Sequence, residues 1–408
     1  MTMRPLAVLI FAAILAGCAP ASPTTVASPF PSPSAAAIPS PTSAAPVSPS
    51  PSPEPLNVAA AIGVIPRSFH YFAVGQGENF RILLFDEERA LPPVVALTSG
   101  RLPVPPGPDV RSEAFTVSAD GRIIVLMRRL SEQQTTYYLL RPETGEVRAL
   151  LSGADLDPPV ITADGSRIAF ARRSEDPNIT GLWLFAVALG APPPIRLVAD
   201  EPRRVGSPPQ PVAWSDDGKW LAIAPGLGDS GTEIAVVDPS AGETRFNELT
   251  NAFIGGRVQV VGMGYAVDWR GGEHNLLITS TRTAFGGRTE IYTADLTSGA
   301  TRSRYRPSGD VVLGAASFHP TLDRYAITEH PVVSGLGAPT AIWVRGIDGS
   351  ATKVAESAFF SPPWWSRDGT KLFSITGGDD STGYISNLLG TGGGTLFCKR
   401  GGTKPPCV

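Results

Sequence analysis

The feature that most constrains this chain is a short phrase that recurs along it. The clearest copy begins at Trp214, continues through Ser-Asp-Asp-Gly, and returns to an apolar strand that carries Leu221 and Ile223. A tight turn between two strands needs a left-handed backbone conformation, which Gly adopts without steric cost. Asp-Gly between apolar runs therefore predicts a β-hairpin. Three more clear copies follow the lead residues Val117, Ile161 and Trp365.

Three degenerate copies keep the spacing of the phrase but lose its Asp-Gly pair, and their lead residues are Ile65, Trp269 and Phe318. The seven leads stand 44 to 55 residues apart. Repeats of about this period are typical of propellers and solenoids. A second hairpin follows the first in each unit, with clear examples in residues 137–148, 233–245, 290–302 and 341–353.

Four strands per unit, joined by short turns, are typical of the blade of a β-propeller. We therefore predict an all-β fold, a β-propeller of four-stranded blades, and the repeat count gives seven blades. A β-sandwich or an irregular all-β domain is the alternative, but neither accounts for seven similar units. No long stretch has the apolar period of an amphipathic helix.

The phrases VSADGRIIVL, ITADGSRIAFARR, AWSDDGKWLAI and WWSRDGTKLFSI resemble the TolB-type, WD-repeat-like propeller repeat. The resemblance extends over residues 60–400 and implies the propeller fold. It also implies two kinds of role, because such propellers serve as interaction scaffolds of the bacterial envelope and as domains fused to peptidases or other enzymes. Family propellers often have six blades, so six remains the alternative to seven.

Residues 1–18 are predicted to be a processing signal rather than part of the fold. Arg4 is their only charge, and residues 6–16 form an apolar run too short to span a bilayer comfortably. The signal ends in Leu-Ala-Gly-Cys, which resembles the lipobox of bacterial lipoproteins. There, small residues admit the peptidase and the cysteine thiol takes the lipid. We predict that a lipid-modified Cys18 ties the mature protein to the outside of a bacterial membrane, with a plain secretory signal as the alternative.

Residues 19–55 are predicted to be a disordered tether. Ala, Pro, Ser and Thr make up 32 of these 37 residues, and Glu54 is the only charge. Such a segment cannot bury enough apolar surface to offset its ordering entropy. Its repeated Ser-Pro pairs favour extended conformers. The propeller domain is expected to occupy residues 56–408.

The sequence gives little support for catalysis. Residues 228–231, Gly-Asp-Ser-Gly, resemble the nucleophile loop of trypsin-type proteases, but none of the four histidines lies in a partner motif. Residues 390–394 lack the Gly-Lys-Ser/Thr ending of a phosphate loop. The acidic residues 379–380 have ligand atoms that suit Ca²⁺, although a solvated turn is the simpler interpretation. We predict no catalytic residue, no metal and no cofactor.

Two cysteines lie near the chain end, Cys398 and Cys407. An even pair in an oxidising compartment predicts a disulfide, with metal binding as the weaker alternative. The bond would pin the chain end to the last strand and contribute about 2–3 kcal/mol.

The meander predicts which face of the ring binds a partner. First and third turns lie on one face and are tight here, whereas second turns and links between blades lie on the other face and are long. The long segments are residues 128–135, 172–181, 225–231, 282–288 and 329–339, with links at 201–210 and 251–264. Binding residues collect on long loops, and clustered arginines suit carboxylates and phosphates. The candidate residues are Arg128, Arg129, Arg172, Arg173, Arg203, Arg204, Arg282, Arg288, Asp229, Asp379 and Asp380.

Together these features predict a membrane-anchored, extracytoplasmic, monomeric propeller that serves as a protein-interaction or ligand-binding module of the bacterial cell envelope. Its partner would be an envelope protein or a cell-wall polymer. The net charge of −3 argues against nucleic acid, which needs a clustered basic surface. The alternative is a propeller enzyme, such as a glycosidase or another hydrolase, or a sugar-binding lectin. Carboxylates, arginines or histidines that converge on the central channel would favour this alternative.

Replacing Cys18 by Ala tests the anchor. We expect the variant to remain unlipidated and unprocessed, because the thiol that takes the lipid is gone. Detergent phase partitioning and mass spectrometry of the mature N-terminus measure both properties. A wild-type protein that enters the aqueous phase with a free Cys18 thiol would contradict the prediction.

Overall fold

A computed structural model describes this chain over residues 56–57, 62, 64–74, 80–89, 93–98, 112–131, 134–174, 176, 178–200, 208–224, 233–247, 252–264, 266–270, 274–280, 289–309, 311–331, 339–357, 361–377, 382–389 and 395–399. The predicted signal, the predicted tether, Cys18 and Cys407 lie outside these residues. Cys398 lies on the last described strand. Within the described ranges the secondary structure is entirely β, and no helix long and apolar enough to cross a membrane occurs.

The strands form seven sheets, which are the seven blades of a β-propeller. In chain order the blades comprise Phe69–Val74, Arg81–Asp86 and Val94–Thr98 (blade 1); Ser112–Val117, Ile124–Ser131, Gln134–Arg141 and Glu146–Gly153 (blade 2); Val160–Ile161, Arg167–Arg172, Gly181–Ala186 and Ile195–Asp200 (blade 3); Gln210–Trp214, Leu221–Ala224, Glu233–Val237 and Val258–Met263 (blade 4); Ala266–Trp269, Asn275–Ser280, Glu290–Asp295 and Thr301–Tyr305 (blade 5); Val311–Leu313, Ser317–Phe318, Arg324–Pro331, Thr340–Gly346 and Ala351–Ser357 (blade 6); and Trp364–Trp365, Leu372–Gly377, Thr382–Asn387 and Thr395–Lys399 (blade 7).

The predicted fold and blade count are confirmed. Six of the seven lead residues end the innermost strand of a blade, as Trp214 does in blade 4. Ile65 is the exception, because the described part of blade 1 pairs three strands and Ile65 precedes them. Leu56–Asn57 adds a short strand to the outer edge of blade 2, where Leu56 pairs with Val147.

The Asp-Gly turns are held by hydrogen bonds among their own residues. In blade 7, the Ser366 hydroxyl donates to the Asp368 carboxylate at 2.6 Å and accepts from the Lys371 backbone N–H at 2.9 Å. The Gly369 N–H donates to the Ser366 carbonyl at 2.8 Å, and Gly369 has a φ of +72°. The Ser366 bond, together with bonds from the Thr370 N–H and hydroxyl, lowers the pKa of Asp368 to about 2. The turn therefore needs a hydroxyl, an Asp and a Gly at these three positions.

Each of the three lead tryptophans connects its own blade to the preceding blade through a hydrogen bond. The indole N–H of Trp214 donates to the Val160 carbonyl at 3.2 Å, and that of Trp365 donates to the Ser317 carbonyl at 3.2 Å. Trp269 makes the same bond to Ala213 at 3.3 Å. In each case the acceptor belongs to the innermost strand of the preceding blade. An aromatic lead thus fills the interface and satisfies its one polar atom there.

The core consists of seven apolar clusters, one between each pair of neighbouring blades. Successive strand residues point to opposite faces, so each strand supplies two clusters. In blade 1, Leu84 packs toward blade 2, whereas Phe85 packs toward blade 7. Each fully buried side chain of this size contributes about 1.5–3 kcal/mol relative to exposure. The ring therefore depends on every blade having two apolar faces.

Blade 4 departs from the predicted arrangement. The sequence predicts a second hairpin at residues 233–245 and a link at 251–264, but the fourth strand of this blade is Val258–Met263. Thr244–Asn247 and Ala252–Ile254 form an inserted hairpin instead. Thr244–Asn247 runs parallel to the outer strand of blade 3, with Thr244 opposite Val198. The link prediction was wrong because Val258–Met263 completes the meander.

Blades 1 and 7 meet through side chains. Blade 1 comes from the N-terminal end of the propeller and blade 7 from its C-terminal end. Among the described residues, no strand belongs to both blades. Trp364 stacks on His70 with ring centroids 4.1 Å apart and donates its indole N–H to Glu87 at 2.9 Å. Lys371 donates to the backbone carbonyl of Glu87 at 2.7 Å. Packing and polar contacts therefore close the ring.

Replacing Gly369 by Ala tests the turn geometry. The new methyl group would overlap the His319 imidazole, which is held by bonds to the Gly369 carbonyl and the Leu322 N–H. Gly349 is the matched control, because its φ is +92° and its surroundings are open. We expect Gly349→Ala to cost about 1–2 kcal/mol and Gly369→Ala to cost about 1–3 kcal/mol more. Chemical denaturation measures both, and equal losses would contradict the predicted overlap.

Candidate functional site

A cavity of about 540 Å³ opens at the centre of the tight-turn face. Its lining includes the second residue after the lead in five of the seven units, namely Arg67, Ala119, Asp216, Pro320 and Arg367. Because the lead ends the innermost strand, this position stands at the turn beside the ring axis. The cavity is therefore the mouth of the central channel, and its volume falls within the range of small-ligand sites.

Charged residues of both signs stand around this mouth. Arg67 and Arg367 lie side by side on blades 1 and 7, and the Arg367 guanidinium donates to the Arg67 carbonyl at 3.4 Å. Asp216 belongs to blade 4, which lies opposite the seam between blades 1 and 7 in a ring of seven. Asp268, on the innermost strand of blade 5, lines the same cavity. Glu87 on blade 1 and Arg270 on blade 5 line the cavity as well, so both signs of charge occur on each side of the mouth.

Asp268 is the most perturbed acid of the mouth. Its pKa is raised to about 7, mainly by burial and also by the nearby Asp216 carboxylate, whereas an accepted bond from the Phe318 N–H at 2.6 Å opposes the rise. The carboxyl group therefore exchanges its proton near neutral pH. Perturbed acids in clefts are common at functional sites.

Two histidines also line the mouth. Burial lowers the pKa of His70 to about 4, so the imidazole is neutral at pH 7. One face of Trp364 is stacked on His70, and Phe373 stacks on the indole at 5.7 Å. The second histidine, His319, is committed to the turns, because it contacts the Gly369 carbonyl at 3.0 Å. The aromatic groups of the mouth therefore shape its wall, and among its charged groups Arg270 is paired with Asp323.

Only some of the residues predicted for the partner face lie within the described residues. Two of these, both arginines, contact the same carboxylate. Arg129 and Arg173 contact Asp157 at 3.3 and 2.9 Å. Gln210 donates to the same carboxylate at 2.8 Å. Asp157 is buried, so its charge is compensated by groups from blades 2, 3 and 4. This cluster binds the blades to one another.

The expected position of Arg128 is corrected by the structure. The segment 128–135 is mostly strand rather than loop, because Ile124–Ser131 and Gln134–Arg141 form one long hairpin. The Arg128 side chain is fully buried. Arg172 ends its strand and is half-buried. The remaining candidates lie outside the described residues; they are Arg203, Arg204, Arg282, Arg288, Asp229, Asp379 and Asp380.

The mouth residues were missed by the sequence reading, although a signal for them exists. Aligning the seven units on their leads places one variable position two residues later, and Arg67, Asp216 and Arg367 carry charge there. Asp268 has no such signal, because it precedes its lead on a strand. For the part of the chain that is described, no group of three or more His, Cys, Asp or Glu residues could hold a metal ion.

Asp268→Asn tests the perturbed carboxyl group. The unfolded chain ionises at the ordinary carboxyl pKa, whereas the folded chain keeps the proton until about pH 7. Wild-type stability should therefore fall as pH rises from about 4 to 7, through this group. The amide does not titrate and still accepts the Phe318 N–H. Denaturation at pH 5 and pH 8 should show a larger relative stability of the variant at pH 8, and parallel pH profiles would contradict the assignment.

Comparison with known proteins adds to this picture at the level of the fold. No protein-family model and no curated protein matches the chain. Among solved structures, a prolyl endopeptidase is 13% identical over 82% of this chain and 48% of its own, with a TM-score of 0.56. An oligogalacturonate lyase from Vibrio parahaemolyticus is 10% identical over 82% of this chain and 86% of its own, with a TM-score of 0.52. A TolB structure from Agrobacterium tumefaciens is 15% identical over 75% of this chain and 96% of its own, with a TM-score of 0.45.

This chain spans about half the length of the prolyl endopeptidase it matches. At these identities the likeness concerns the fold alone. Propellers of similar fold thus occur in proteins named as a prolyl endopeptidase and an oligogalacturonate lyase. The chain is a seven-bladed propeller. Because function lives in sites carried by folds, its role depends on its own site residues and not on the shared fold.

Proposed function

We propose that this chain is a lipid-anchored binding module of a bacterial cell envelope, and that it holds its ligand in the mouth of the central channel on the tight-turn face. The observation that carries the proposal is the convergence of arginines, carboxyl groups and a neutral histidine on one cavity of about 540 Å³.

The arginines at the seam of the mouth and those around Asp157 differ in how their charges are used. On the long-loop side, Arg129 and Arg173 are both engaged by Asp157. At the mouth, Arg67 and Arg367 make no ion pair with any described carboxylate. Guanidinium groups that keep their donors free can bind a ligand without first breaking internal bonds. This contrast favours the tight-turn face over the long-loop face that the sequence suggested.

The ligand is an envelope component, in keeping with the predicted anchor at Cys18. Both signs of charge at the mouth suit a polar segment of a partner protein, which we place first. A cell-wall polymer is the alternative occupant. The likeness to enzymes is one of fold, and Asp268 is the observation that favours a second candidate function. A carboxyl group with a pKa of about 7 can serve as a general acid or base in a hydrolase or a lyase.

Blocking the mouth tests the proposal. We expect Ala119→Trp to abolish capture of the ligand from the organism's own solubilised membranes, because Ala119 stands exposed at the cavity edge. Arg173→Ala, on the long-loop face, is the control and should capture normally. Affinity capture with quantitative mass spectrometry measures both, and thermal melting confirms that each variant is folded. Loss of capture in Arg173→Ala with normal capture in Ala119→Trp would assign the ligand to the long-loop face.

A further inference from the structure

The seam between blades 1 and 7 brings together residues that are 300 positions apart in the chain. Arg67 lies just before the first strand of blade 1, and Arg367 lies in the Asp-Gly turn of blade 7. The Arg367 N–H donates to the Ser68 hydroxyl at 3.2 Å, and the Arg367 guanidinium donates to the Arg67 carbonyl at 3.4 Å. These bonds hold the two arginines beside each other across the junction that closes the ring.

Both arginines are exposed, and both border two adjoining cavities. One is the mouth, and the other is a smaller cavity of about 260 Å³ that also includes Ser68 and Lys371 in its lining. The Lys371 ammonium group donates to the Glu87 carbonyl at 2.7 Å and to the Glu88 carbonyl at 3.2 Å, which leaves its positive charge uncancelled by those bonds. Three cations therefore stand around one small space.

The carboxyl groups nearest to these cations are already occupied. Glu87 is buried and accepts bonds from the Ser68 hydroxyl at 2.5 Å and from the Trp364 indole at 2.9 Å. Burial raises the pKa of Glu87, which favours its neutral form. Asp368 accepts from Ser366 and from Thr370 at 2.9 Å. Glu88 and Asp368 also line the smaller cavity, but no ion pair within the described residues joins either of them to Arg67 or Arg367.

We propose that Arg67 and Arg367 form an oxyanion site that takes a carboxylate or phosphate group of the ligand and bridges blade 1 to blade 7. Guanidinium groups present paired donors that match the two oxygens of such groups. The site rests on the proposed function, since it lies on the seam side of the same mouth. It adds the chemical class of the group that the mouth receives.

A bridge at this position has a consequence for stability. A ligand that binds the closed ring and not the opened or unfolded chain stabilises the closed ring by mass action. Successive blades follow one another along the chain, whereas blades 1 and 7 come from opposite ends of the propeller, so a bridge between them opposes opening of the ring. Since each blade supplies one arginine, loss of either one should weaken the bridge. Anion binding should therefore raise the melting temperature, and both arginines should be required.

The experiment uses inorganic phosphate and citrate as separate probes of the full chain, with sodium chloride at equal ionic strength as the reference. Isothermal titration measures affinity, and thermal melting measures the stabilisation. We expect saturable binding of at least one probe by the wild type, and at least a tenfold loss of affinity in Arg67→Gln and in Arg367→Gln. The probe that binds more tightly identifies phosphate or carboxylate as the natural group.

Arg122→Gln is the matched control, because Arg122 lies on the same face in blade 2 and is paired with Glu143 at 3.5 Å. It should bind and melt as the wild type does. Melting without anion shows that the two seam variants are folded. Wild-type affinity in either seam variant, an equal loss in Arg122→Gln, or no saturable binding of either probe would overturn the inference. If the oxyanion site is overturned in this way while Ala119→Trp still fails to capture the membrane ligand, the proposed function survives.

Discussion

The packing of the lead residues against the preceding blade is the constraint on which the rest of the structure depends. Six leads lie in the apolar cluster shared with that blade, and they are Val117, Ile161, Trp214, Trp269, Phe318 and Trp365. The three tryptophans also donate to a carbonyl of the previous innermost strand, at 3.2–3.3 Å. All six leads end the innermost strand of their blade, and the turn begins after them. The residue two positions later is then carried to the ring axis, whatever its chemistry. The lead residues thus determine the scaffold, whereas the residue two positions later can differ in chemistry from one unit to the next.

Much of the fold could be predicted because it is encoded locally. The Asp-Gly turn needs only residues within one phrase, so its four clear copies identify their hairpins without knowledge of any partner. The inserted hairpin of blade 4 could not be predicted in this way. Residues 238–257 contain two turn sequences, and neither is locally the better candidate for the turn that leads into the fourth strand. Arg128 was misplaced for a related reason. Its burial depends on a hairpin longer than the apolar pattern indicates, since both strands of that hairpin end in polar residues.

The site could be predicted only in part, because its charge pattern arises from ring closure. Arg67 and Arg367 are far apart in the sequence, and they become neighbours only when blade 7 meets blade 1. Asp216 faces them because the ring has seven blades. The same geometry separates two uses of arginine. Around Asp157 the arginines neutralise a buried carboxylate and hold blades together, whereas at the seam their charge is left for a ligand.

Hydrogen exchange of the protein with its captured envelope ligand tests the central claim most directly, because it reports where on the ring the ligand sits. Binding in the mouth predicts slower amide exchange at residues 66–71, 268–270 and 366–371. It predicts unchanged exchange at residues 155–157 and 172–174 on the long-loop face. Protection confined to the long-loop residues, with the mouth unaffected, would contradict the account.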